Sequence, residues 1–99
     1  MAENIRNATI AVGTSPVLVA PQLLEGQRTT IAITNTSTAG QIITLSWGEE
    51  TIAGIGIVLS AYGSWSESVD AVFIPSNMNI WAVSSAIDGS ISIQERIRS

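Results

Sequence analysis

The apolar residues of this 99-residue chain fall in short alternating runs of Ile, Val and Thr, separated every eight to twelve residues by Gly, Pro, Asn or Asp. Alternation with period two places every second side chain on one face, as a half-buried strand requires. No stretch keeps a 3.6-residue apolar period over three turns, so no helix longer than about two turns is expected. Fifteen Ile and seven Val against five Leu reinforce this, because β-branched side chains lose rotamer freedom in helices and pack well on pleated sheets. The pattern predicts one all-β domain, an antiparallel β-sandwich of jelly-roll or immunoglobulin-like type with about seven or eight short strands.

Along the chain, residues 1–8 are polar and read as an N-terminal arm, leaving 9–99 as the sandwich. Strands are expected at 8–12, 17–19, 28–35, 41–47, 52–59, 64–69, 72–74, 79–85 and 89–97. The turn composition of Asn35–Gly40 predicts a hairpin between the third and fourth of these. Asp88-Gly89 predicts a tight turn between the last two. Gly54 and Gly56 inside an apolar run mark a bulge or a close backbone approach. Alternation assigns Ile31, Ile33, Ile43, Leu45, Ile57, Leu59, Ile91 and Ile93 to the core, with Trp47 continuing one of those faces.

The chemistry open to the chain is narrow. It has no Cys, His or Lys, and its cations are Arg6, Arg28, Arg96 and Arg98, against eight carboxylates. Thirteen serines therefore have no neutral-pH base to activate them, which argues against an enzyme. Adjacent Glu49 and Glu50 point apart in a strand, and Glu67 and Asp70 beside Trp65 fit a solvated edge as well as a sugar site. No cofactor or metal is expected: thiolate sites are excluded, and Glu67–Asp70 is too sparse for calcium. A net charge of −4 without a basic patch argues against nucleic acid and against anionic membrane surfaces. No apolar run approaches the roughly 20 residues of a membrane span. The polar opening residues predict no signal peptide. With no His, and few cations to pair with its carboxylates, stability is expected to change little between about pH 4 and 8.

What is left is surface. Trp65, Trp81 and Tyr62 are candidate contacts with a partner subunit or a glycan. Asn7-Ala8-Thr9 and Asn35-Thr36-Ser37 are acceptor sequons, making Asn7 and Asn35 candidate glycosylation sites. Sparse charge leaves strand edges without the lysines that usually guard them, so self-association through the edges and the first eight residues is expected.

From Arg28 onward the sequence runs Arg-Thr-Thr-Ile-Ala-Ile-Thr-Asn-Thr-Ser, Ile-Thr-Leu-Ser-Trp-Gly and Gly-Ile-Val-Leu-Ser-Ala-Tyr-Gly-Ser-Trp. It then continues through Ile-Trp-Ala-Val-Ser-Ser and Gly-Ser-Ile-Ser-Ile-Gln-Glu. Over about residues 15–97 this resembles small β-sandwich structural proteins of prokaryotic virions, although Ala61-Tyr62 stands where those often carry Pro before Gly. The resemblance implies a non-enzymatic minor capsid, decoration, turret or fibre-base subunit. Its partners would be copies of itself and other capsid proteins, and it would be located in the virion. The alternative is a carbohydrate-binding or adhesin-like module at a cell surface.

Overall fold

The computed structural model describes residues 3–50, 52, 54–70 and 72–98. It is all-β: β1 Glu3–Val12, β2 Val17–Ala20, β3 Gln27–Asn35, β4 Ile43–Trp47, β5 Ile57–Leu59, β6 Ser64–Ser68, β7 Ile80–Ser84 and β8 Gly89–Arg98. Two antiparallel sheets face each other, one ordered β1-β8-β3-β6 and the other β2-β7-β4-β5. This is the order of an eight-stranded jelly roll. Among the described residues no helix is long and apolar enough to cross a membrane.

The core lies where alternation puts it. Ile31, Ile33, Ile43, Leu45, Leu59, Ile91 and Ile93 are buried, joined by Val12, Val19, Ile80 and Ala82. Ile57, Trp47 and Trp65 are partly buried against them. At roughly 1.5–3 kcal/mol per fully buried aliphatic side chain, this cluster is the main stabilising term.

Three expectations change. The arm of residues 3–8 is strand: β1 pairs with β8 without interruption from Glu3↔Arg98 to Val12↔Gly89, and residues 1–2 lie outside the described residues. The alternation is disguised there because Arg6 occupies an inward position, in phase with Ala8, Ile10 and Val12.

The expected β3–β4 hairpin does not form, since β3 pairs with β8 and β6 while β4 pairs with β7 and β5. The β7–β8 link likewise crosses between sheets. Asp88 takes a left-handed φ of 64° there, and Gly89 is required because a Cβ would lie 2.6 Å from both Ser84 Oγ and the Val12 carbonyl. Of the successive strands, β4 and β5 alone pair with each other.

The expected strand 52–59 shortens to β5. Gly56, at φ 135°, brings its backbone so close to the Leu45 carbonyl that no side chain fits, which bears out the close approach. Described residues of 72–74 are loop, ordered by an Asx turn. Asp70 Oδ1 accepts from the backbone N–H groups of Val72 and Phe73, and Asp70 N–H donates to the Phe73 carbonyl.

Candidate functional site

The buried charges of the molecule, Arg28 and Glu95, occupy inward-facing positions toward one end. Arg28, at the start of β3, is fully buried. Its Nε donates to Glu95 Oε2 at 2.6 Å, its Nη1 to the carbonyls of Ser76 and Met78, and its Nη2 to the carbonyl of Pro21. Glu95, itself buried, accepts at Oε1 from Arg6 Nε at 3.1 Å, and Arg6 Nη2 donates on to the Val19 carbonyl across the sheets. One carboxylate thus joins two guanidiniums, which between them donate to three loop carbonyls and to the carbonyl of Val19 in β2. This is a fastening, with no free base or nucleophile in it. In sequence the arginines stand as isolated charges, and the signal of their pairing is Glu95 standing in the inward series Ile91, Ile93, Glu95.

Glu67 occupies the inward position of the edge strand β6 opposite Ile31. Its Oε1 is buried with no hydrogen-bond partner, and burial raises its pKa, outweighing the opposing pull of the Arg28 guanidinium. Asp70 is committed to its Asx turn, so the two carboxylates do not converge. Among the described residues there is no group of His, Cys, Asp or Glu placed to hold a metal, and no pocket.

The three aromatic candidates face different surroundings. Trp65 points inward and meets Trp47 edge-to-face, with ring centroids 5.4 Å apart. Trp81, between the core residues Ile80 and Ala82, lies on the outer face of the second sheet beside Leu18, with its indole N–H buried and unpartnered. Tyr62 is exposed at a turn tip with φ 60°. They form no common platform for a sugar ring.

Of the two acceptor sequons, Asn7 is exposed on β1. Asn35 is fully buried, donating through Nδ2 to the carbonyls of Gln41 and Leu59 and accepting at Oδ1 from Ser37 N–H. In the folded chain Asn35 therefore cannot carry a glycan.

The remaining features are edges. β1 and β6 flank the first sheet, β2 and β5 the second. β5 has three residues, β2 has four between Pro16 and Pro21, and β6 carries the inward Glu67. Short strands, flanking prolines and inward charges all discourage a further strand from pairing. β1 is ten residues long, contains neither Pro nor Lys, and its inward Arg6 is already neutralised within the molecule.

No family profile matches the sequence, and no curated protein matches it. A solved structure of Bacillus endospore appendages, reported as a novel family of disulfide-linked pili, shares the fold with a TM-score of 0.64 and 11% identity over 98% of this chain and 87% of that one. This sequence contains no cysteine with which to make such a linkage. The similarity, at that identity, establishes that both chains adopt the same β-sandwich architecture.

Proposed function

We propose that the chain is a non-enzymatic structural subunit that self-associates, using the open edge of β1, as part of a surface-exposed, fibre-like assembly. The observation that carries this reading is the open outer edge of β1, the one long edge strand without a blocking device. A row of unpaired backbone donors and acceptors over ten residues is a template for another strand. The shared fold with a pilus chain supports the fibre form, with cohesion supplied by backbone pairing and burial instead of disulfides. A virion role, implied by the resemblance to phage structural proteins, keeps the same self-association and replaces the fibre with a capsid lattice. The pilus neighbour favours the fibre.

The test places lysines on the exposed face of β1. Thr9→Lys with Ala11→Lys should abolish assembly in sedimentation and electron microscopy, while costing less than about 1 kcal/mol in stability because both positions are solvent-facing. A wild-type chain that stays monomeric at about 100 μM, a hundredfold above a micromolar dissociation constant, overturns the proposal.

A further inference from the structure

The two edges of the first sheet are matched to each other. Its order, β1-β8-β3-β6, is antiparallel throughout, so β1 and β6 run in opposite directions. A second copy set beside the first in the same orientation therefore lays its β6 antiparallel to β1, and the alternation continues across the boundary.

The backbone phase agrees. The Ser90 and Arg96 carbonyls accept from the β3 side, from Thr36 N–H and Thr29 Oγ1. Ile91, Ile93 and Glu95 therefore turn toward β1, and their partners there turn toward β8. This leaves the N–H and C=O groups of Ile5, Asn7 and Thr9 pointing out of the sheet. At the ends of β6, the Gly63 carbonyl and Val69 N–H bond to β3, so Ser64, Ser66 and Ser68 present theirs outward. On both edges these residues carry their side chains on the solvent face, so the edges pair with both cores on the same side.

Charge fixes the register. Arg6, Glu95, Ile31 and Glu67 lie on one line across the sheet, all facing inward. The line starts with a guanidinium at one edge and ends with a carboxylate at the other. Glu95 is one carboxylate shared by two guanidiniums, so the cluster keeps a positive charge in excess. The Arg6 side chain is 37% exposed, and its Nη1 makes no hydrogen bond among the described residues. Glu67 Oε1 has no partner. A copy displaced along this line, without a shift along the strands, sets its Glu67 opposite Arg6 at the ~4.5 Å Cα spacing of a non-hydrogen-bonded pair. Its Ser68, Ser66 and Ser64 then fall opposite Ile5, Asn7 and Thr9.

We infer that β6 of a second copy fills the open edge of β1, with its Glu67 paired to Arg6, so that the first sheet runs on from subunit to subunit. An inward Glu67 discourages an ordinary strand but admits one bearing a cation at the matching position, which makes the contact selective. A two-fold contact of β1 with β1 would leave both Glu67 carboxylates as they are. The heterologous contact propagates, and strand twist turns each copy relative to the last.

This contact rests on the self-association proposed above, and the test separates the two. Asn7→Cys and Ser66→Cys sit at exposed positions of a chain with no native cysteine. Within one molecule they are three strand spacings apart, about 14 Å, too far for a disulfide, whereas a hydrogen-bonded pair across the contact lies at about 5.5 Å, within reach. Under oxidation, a mixture of the two single variants should yield about tenfold more disulfide dimer than either alone, and the double variant should give a ladder. Asn7→Cys dimer as abundant as the mixed dimer would show β1 meeting β1 and overturn the assignment. No cross-link in the mixture, while the wild-type chain assembles and Thr9→Lys/Ala11→Lys does not, would leave edge pairing standing and overturn β6 as its partner. Glu67→Gln keeps the size of the side chain and removes its charge, and should raise the concentration needed for assembly by about fivefold. An unchanged threshold would overturn the ion pair.

Discussion

Strand β3 carries a fully buried polar side chain at each end, and the two ends are fastened by different chemistry. Arg28 gathers three loop carbonyls and a carboxylate from β8 at one end. Asn35 gathers two carbonyls and one backbone N–H at the other. The tasks are alike, since each side chain satisfies backbone groups of loops that cross between the sheets. The costs are not alike. An amide is neutral with or without its partners, whereas a guanidinium buried with a carboxylate is stable only while both are present. The charged fastening sits beneath the connections from β2 to β3 and from β6 to β7. The neutral one sits beneath short turns.

The comparison is broken most directly at Arg28. Arg28→Ala leaves Glu95 facing only the part-exposed Arg6 and strips the carbonyls of Pro21, Ser76 and Met78 of a donor. A loss of about 3–5 kcal/mol is expected in denaturant unfolding. Glu95→Met in the Arg28→Met background should recover part of that loss, and a double-mutant cycle gives the coupling. Asn35→Ala removes three neutral hydrogen bonds, to the Gln41 and Leu59 carbonyls and from Ser37 N–H, for an expected loss of about 1–3 kcal/mol. A loss at Asn35 equal to that at Arg28 would show that carbonyl satisfaction, not charge, sets the cost.

The smallest effect is at Glu67. Its folded pKa is raised above the ordinary 4.5, so the folded state binds its proton more tightly than the unfolded chain. The penalty for holding the anion is present above the folded pKa and disappears as pH falls below the unfolded value. Relative to Glu67→Gln, the wild type should therefore gain melting temperature as pH is lowered from 7 toward 4, by an amount corresponding to a few tenths of a kcal/mol after solvent screening. Parallel pH profiles for the two proteins would contradict this.

The sheet faces were legible from alternation because period two reports directly which side of a strand is dry. Which sheet a strand joins was not legible. Asn35–Gly40 and Asp88-Gly89 have turn chemistry that suits a hairpin and a crossover equally, and the choice lies in long-range pairing, β3 with β8 and β6, β4 with β7 and β5. The ion-pair cluster was hidden for a related reason. Arg6, Arg28 and Glu95 are separated in sequence by up to 89 residues, and a charged residue in an inward slot looks like an interruption of the pattern until its partner is known. Trp65 and Trp81 resemble each other in sequence and occupy opposite environments, because Ile80 and Ala82 fix the phase of one strand while the Trp47 contact fixes the other.

The pairing of β1 with β8 also has a consequence in time. β1 is made before the other seven strands and finds its register only after β8 has followed it, since each of its ten residues is matched to one on that last strand. Contacts of such long sequence separation close late and make folding slow. Until then the first strand has no sheet, and its outer edge presents no ordered row of donors to a neighbour. On the proposed reading, a subunit that associates along β1 is thereby timed, becoming competent to join an assembly only once its own sandwich is complete.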